Sequence, residues 1–281
     1  MSWRDVLERV WRRDAAAPSA AGGEGTGEAA GETEAATLMA QAYEAAEAND
    51  YESALAIWGP LAHQGIARAQ NNIGKCFSEG LGVDRDSALA LRWLTLAAEG
   101  GDPIGQRNLA EVYFKGEGVE VNAVRAAELY KQAAEAGDGP AQDMLSWMLV
   151  EGQMIPGDIT DAKRWAEAAA AQGIVPAMTR LGMMYHNALG VERDAAAAAR
   201  WWDKAAALGD ADAQAMLGAA YQLGAGVPRD GVAALMWLLR ARAGASPLAD
   251  SFIQPTFAEL SVAEIERARK LAEAPLPEQV S

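Results

Sequence analysis

The sequence predicts an all-α fold, a solenoid of short antiparallel helix pairs, and three observations carry that prediction. The first is a period. The pattern that begins at Ala69 returns in steps of 36 residues without insertion or deletion, through Gly105, Ala141, Ala177 and Ala213. Ile73 is followed in the same way by Leu109, Leu145, Leu181 and Leu217, and Phe77 by Tyr113, Leu149, Tyr185 and Tyr221. A fixed period of this size marks a stacked repeat array. The second is the spacing within a unit: residues 69, 73 and 77 fall within about 80° of one another on a helix, a stripe that must face a partner helix. The third is the punctuation between the two helices. Gly80 and Gly82, repeated as Gly116 and Gly118, supply the positive φ that ends a helix and turns the chain.

The second helix of each unit opens on a residue that can cap it. Asp86 is followed at the same step by Asn122, Asp158, Asp194 and Asp230, whose side-chain oxygens accept from the first free backbone amides. Ala90, Trp93, Ala97 and Ala98 then make a narrow apolar face of small residues around one large ring, with Leu129, Trp165, Trp201 and Trp237 in the ring's place further on. That register puts Trp201 in the core. Gly101, Gly137, Gly173 and Gly209 end the helix in four units, and Ala245 in the fifth.

These residues resemble the Sel-one-like repeat (SLR), a relative of the tetratricopeptide (TPR) repeat. The copy at 213–245 holds Leu217, Gly218, Tyr221, Gly224, Gly226, Val227, Asp230 and Trp237 in the family's places. The resemblance covers about residues 37 to 273 and implies a right-handed superhelix of stacked pairs. The third copy departs from the pattern, with Gln153-Met154-Ile155-Pro156 at the turn and Ser146 in the glycine position.

At 281 residues, with 51% apolar and 22% charged content, the chain is long and apolar enough to bury a core. Its net charge of −15 argues against a nucleic-acid backbone as partner, because that affinity rests on Lys and Arg. The single cysteine, Cys76, leaves no internal disulfide framework and suits a reducing compartment. No apolar run approaches the roughly 18 residues of a membrane span, and the start of the chain lacks the apolar core of a secretory signal. A cytoplasmic protein is expected.

The pattern divides the chain into five segments. Residues 1–13 read as an amphipathic helix, with Trp3, Val6, Leu7, Val10 and Trp11 on one face. Three uses stay open for it: packing on its own protein, docking on a partner, or lying on a membrane surface. Residues 14–36, rich in Ala, Gly and Glu, read as a flexible linker. Residues 37–65 form a truncated first repeat in which Asn49-Asp50 replaces the turn. Five full repeats occupy 66–245. In 246–281, Pro247 and Pro255 break the pattern, and a capping box at Ser261 and Glu264 opens a last helix that lids the array and precedes a tail.

The residues of catalysis are scarce. His63 and His186 stand in different units and Cys76 is alone. His63, near a helix end, reads as a surface residue. No metal-binding, nucleophile-elbow, phosphate-loop or dinucleotide motif is present, so no catalytic residue, metal or cofactor is expected. Some cysteine-rich SLR proteins bind or hydrolyse β-lactams, which makes that activity the enzymatic alternative; a single cysteine lacks their disulfide pattern.

The surface opposite the core stripe remains. Positions 68, 71, 75 and 78 and their equivalents line the concave groove in the TPR-like folds this chain resembles. They offer Arg68, Asn71 and Lys75, then Arg107, Glu111 and Phe114, then Asp143, Trp147 and Val150. Thr179, Met183 and His186 follow, and finally Ala215, Ala219 and Gln222. The alternative is a solvated face. The expected function is a scaffold, adaptor or regulator, such as the resemblance implies in bacterial signalling, that holds a peptide or helix of a protein partner. A tethering role through Trp3, Leu7, Val10 and Trp11, on a membrane or a partner, is the other non-enzymatic reading.

Overall fold

A computed structural model of the chain describes residues 27–276. Trp3, Leu7, Val10 and Trp11, and with them the expected amphipathic segment, lie outside the described residues. The described residues form fourteen α-helices, and the chain divides into two compact units, Met1–Asp138 and Gly139–Ser281.

In unit 1 the helices pair in chain order: α1 (Gly27–Glu47) with α2 (Tyr51–His63), α3 (Ala67–Glu79) with α4 (Ser87–Glu99), and α5 (Pro103–Lys115) with α6 (Ala123–Glu135). Each pair also packs on the next, through α2 on α3 and α4 on α5. One expectation is corrected at once. The stretch read as a linker up to residue 36 is helical from Gly27 onward, because its alanines and glutamates are strong helix formers that continue into the first repeat. The core is the stripe the period defines: Ala69 and Ile73 have no exposed surface, and Phe77 and Trp93 are almost fully covered.

The punctuation acts as its chemistry requires. Gly80 and Gly116 adopt φ of 76° and 74°, and the Gly80 N–H donates to the Cys76 carbonyl at 2.8 Å. Asp86 then accepts from the amides of Ala88 and Leu89, both at 3.0 Å, and its own N–H donates back to the Phe77 carbonyl at 2.9 Å. In the truncated repeat Asn49 takes the left-handed conformation at φ 61° and Asp50 caps α2.

Unit 2 repeats the arrangement with α7 (Gly139–Glu151) on α8 (Ile159–Ala171), α9 (Val175–Asn187) on α10 (Ala195–Ala207) and α11 (Ala211–Leu223) on α12 (Gly231–Ala243). The irregular third turn keeps two features of the others, the positive φ at Gly152, 62°, and the Asp158 cap of α8.

A helix absent from the sequence reading follows. Pro255 sits inside α13 (Asp250–Glu259). The reason lies in the period: Ala249, Ile253 and Phe257 stand one further step of 36 beyond Ala213, Leu217 and Tyr221, and burial of Ile253 outweighs the one backbone bond the proline removes. The last helix, α14 (Val262–Glu273), opens on the Ser261–Glu264 capping box and packs on α12 as the expected lid.

The ring register holds at Trp93, Leu129 and Trp165, which are buried, and needs a second correction at Trp201. Trp201 is half-buried with the Lys204 ammonium 4.4 Å from its ring centroid, whereas its neighbour Trp202 is 3% exposed. In three pairs a close helix-to-helix contact is made one residue later than the ring position. There Leu94, Trp202 and Leu238 face Gly74, Gly182 and Gly218, and at each of these glycines an added Cβ would collide with the opposing side chain. Where helix α7 has Ser146 in the glycine place, α8 offers only Ala166.

Candidate functional site

The expected contact residues sit on the first helices of the pairs, which pack beside one another in each unit through α3 and α5 and through α7 and α9. Their side chains divide between those the fold uses internally and those it leaves available.

In unit 1 the row is bound together by polar contacts. Arg68 pairs with Asp102, Nε to Oδ1 at 2.7 Å, while the other Asp102 oxygen accepts from the Gly105 amide at 2.8 Å and so caps α5. The Arg68–Asp102 hydrogen bond raises the pKa of the Arg68 guanidinium above its ordinary value. Arg107 reaches both oxygens of Asp138, at 3.0 and 2.7 Å. Asn71 is a correction: it is 2% exposed and holds an amide chain, accepting from Asn108 at 2.7 Å and donating to Asn72 at 3.2 Å. Asn72 passes the chain on to the Tyr43 hydroxyl at 3.3 Å.

Lys75 and Glu111 are exposed, with Lys75 3.8 Å from Glu79 and Glu111 paired to Lys115. Between α3 and α5 these groups surround a depression of about 500 Å³, lined by Lys75, Arg107, Glu111 and Lys115 with Leu94 and Val112 among its apolar residues. Its other cation, Arg85, lies 4.0 Å from Glu117, so the depression carries charges of both signs in contact with each other. Phe114 is half-buried.

In unit 2 the corresponding face is more apolar. Met183 is 41% exposed, and Trp147, Val150 and His186 are half-buried. The His186 ring lies 5.5 Å from the Trp202 ring. Asp143 and Gln222 are further corrections, each under a tenth exposed. Asp143 is turned inward by an ion pair with Arg180, which also donates to the Asp143 carbonyl at 3.2 Å. Thr179 donates to Asp210, the N-cap of α11, at 3.1 Å. Ala215 and Ala219 are buried.

Two ladders escaped the sequence reading although the period displays both. One is the N-cap set of the first helices, Asp102 and Asp210, each directly after a helix-ending glycine. The other is a row of buried glutamines, in which Gln70 donates to the Ala62 carbonyl at 3.0 Å and Gln214 to the Ala206 carbonyl at 3.1 Å. Each satisfies a carbonyl at the end of the preceding helix, where no intrahelical donor remains. The pair Ala-Gln or Gly-Gln at 69–70, 105–106, 141–142 and 213–214 was the available signal.

The cysteine and the first histidine are both at least partly covered. Cys76 is 2% exposed, and burial, reinforced by Glu79, pushes its thiol up to about 12. His63, expected at the surface, is half-buried with its ring 5.5 Å from the Trp93 ring in an edge-on arrangement. Among the described residues no group of three His, Cys, Asp or Glu side chains could hold a metal ion. None of the described helices is long and apolar enough to cross a membrane.

The Sel1 repeat family model matches residues 67–102, 103–138, 139–174, 175–210 and 211–245. The structure resembles the crystal structure of a Sel1 repeat protein from Oxalobacter formigenes, with TM-score 0.73 and 28% identity over 84% of this chain and 98% of that one. A protective antigen of uropathogenic Escherichia coli with an SLR fold matches at TM-score 0.40 and 25% identity, over 79% of this chain and 63% of that one. An immunity protein from Pseudomonas aeruginosa matches at TM-score 0.46 and 18% identity, over 86% and 88% of the two chains. Neither of the last two superposes closely enough to inform function. No curated protein matches the chain.

Proposed function

Because this chain belongs to the Sel1 repeat family, whose members are generally protein–protein interaction scaffolds, we propose that it is a scaffold that binds a segment of a protein partner on its first-helix face. The observation that carries this reading is the depression between α3 and α5. Three residues chosen from the repeat register alone, Lys75, Arg107 and Glu111, line it together.

The chemistry favours a segment with both charge signs. Lys75 and Glu111 are engaged only in exposed i,i+4 pairs, and such pairs contribute about 0.3–0.5 kcal/mol each, so a partner can open them at little cost. Arg107 is held by the buried Asp138 and acts as a fixed wall of the depression. In unit 2 the same helix face carries Trp147, Val150, Met183 and His186, of which Met183 is the most exposed. Aromatic side chains supply most of the binding energy of many interfaces, and methionine is enriched in them.

The test is affinity capture from a cell extract with the full chain, read by mass spectrometry. The comparison is with the exchange Lys75→Glu plus Glu111→Lys and with Met183→Asp. A specific partner retained by the wild type and lost by these variants, with helical circular dichroism unchanged, is the expected result. Equal retention by all three proteins refutes the assignment of the face.

A further inference from the structure

We propose that unit 2 carries a second docking surface, in the crevice between α12 and α14, that takes a short acidic peptide segment bearing an apolar side chain. Of the fifteen Lys and Arg residues from Arg68 to Arg229, twelve lie within 4.0 Å of a carboxylate of the same chain. On α12 and α14 the pattern stops. No carboxylate among the described residues lies within 4.0 Å of Arg240, Arg242, Arg267, Arg269 or Lys270.

Three of these, Arg240, Arg242 and Arg269, converge on a depression of about 650 Å³. Its wall includes Leu239, Ala272 and Leu276, and its one carboxylate is Glu273. Two of the guanidiniums are fixed by groups that orient a cation without neutralising it. Arg240 donates to the Leu271 carbonyl at 2.9 Å and the Ala274 carbonyl at 2.5 Å, at the end of α14, and Arg269 lies 5.7 Å from the Phe257 ring centroid. Arg242 is exposed.

Guanidiniums held in position bind carboxylates through paired N–H donors, and the apolar wall beside them takes a side chain from the same segment. A short segment is favoured over an extended polyanion by range. Screening confines the attraction of these arginines to about 8 Å at physiological salt, and a nucleic acid or anionic bilayer would reach beyond them to a chain whose net charge is −15. The surface is separate from the unit 1 depression and does not depend on it.

The test is fluorescence anisotropy with the full chain and a fluorescein-labelled probe peptide of alternating Glu and Phe. Saturable binding is expected, weakened roughly tenfold by the double variant Arg242→Glu, Arg269→Glu and partly restored by Arg242→Lys, Arg269→Lys. Lys75→Glu with Glu111→Lys should leave it unchanged. Thermal unfolding of each variant reports that the fold is intact. The proposal is overturned by any of three results: no saturable binding, equal binding by the charge-reversed variant, or equal binding of a Lys-Phe probe. Displacement of the probe by a DNA duplex or phosphatidylserine vesicles at equal charge concentration would also overturn it, in favour of a polyanion site.

Discussion

Truncating Trp202 should destabilise the protein far more than truncating Trp201, although the repeat register assigns the core ring to position 201. Trp202 is 3% exposed. A buried indole removes about 150–250 Å² from water, which at about 25 cal/mol per Å² is about 4–6 kcal/mol, an upper bound because the unfolded chain is itself compact. Its Nε1 is buried without a hydrogen-bond partner, so removing the ring also removes an unsatisfied donor and returns about 1–3 kcal/mol. The net loss for Trp202→Ala is therefore about 3 kcal/mol, at the low end of the range for large core truncations.

Trp201 is half-buried beneath Lys204, and losing a partly exposed ring with one cation–π contact costs about 1 kcal/mol. Trp202→Leu, which copies Leu94 and Leu238 at the equivalent positions, should recover most of the difference, since Gly182 leaves room for either side chain. Urea denaturation followed by far-UV circular dichroism measures all three. Equal losses for Trp201→Ala and Trp202→Ala would refute the assignment of the inter-helix contact to position 202.

Other consequences are open to measurement. Ala188 and Ala245 occupy left-handed conformations, at φ 56° and 62°, where other repeats have glycine. Ala188→Gly should stabilise by about 0.5–1 kcal/mol, the relief of strain exceeding the added freedom of the unfolded chain, and a lowered midpoint would contradict this. Asp102→Ala removes both the cap of α5 and the partner of Arg68 and should cost about 2 kcal/mol; Asp102→Asn, which keeps the cap, should cost less in the same melt. Cys76 has its thiol pushed up to about 12, so the unfolded chain, with a thiol near 8.5, loses its proton first as pH rises. Stability from this group is therefore complete below about pH 8.5 and declines towards pH 12. Native protein at pH 8 should resist iodoacetamide and react on unfolding, which mass spectrometry reads directly; rapid labelling of the native protein would place the thiol elsewhere.

Ala69, Ile73, the turn glycines and the capping set from Asp86 to Asp230 were legible because each is a local requirement, a stripe, a positive φ or an unpaired amide, and recurs at a fixed step. The resemblance to the repeat family rested on those same residues. The site was legible in part: Lys75, Arg107 and Glu111 do line one depression, while Asn71, Asp143 and Gln222 share their helix face and yet are buried. Helical spacing gives an angle around one helix and says nothing of how closely the next helix approaches. That distance depends on pairs remote in sequence, Gly182 with Trp202 or Arg180 with Asp143, whose fit exists only after the helices pack. Pro255 within α13 teaches the same lesson, since burial of Ile253 overrides a local break. By itself the sequence determined the order and pairing of the helices in the five full repeats, but not α13 or the helical start at Gly27. Tertiary structure alone decided which polar side chains the helix contacts consume and which, as around Arg242 and Arg269, they leave exposed, because both depend on the distance between packed surfaces.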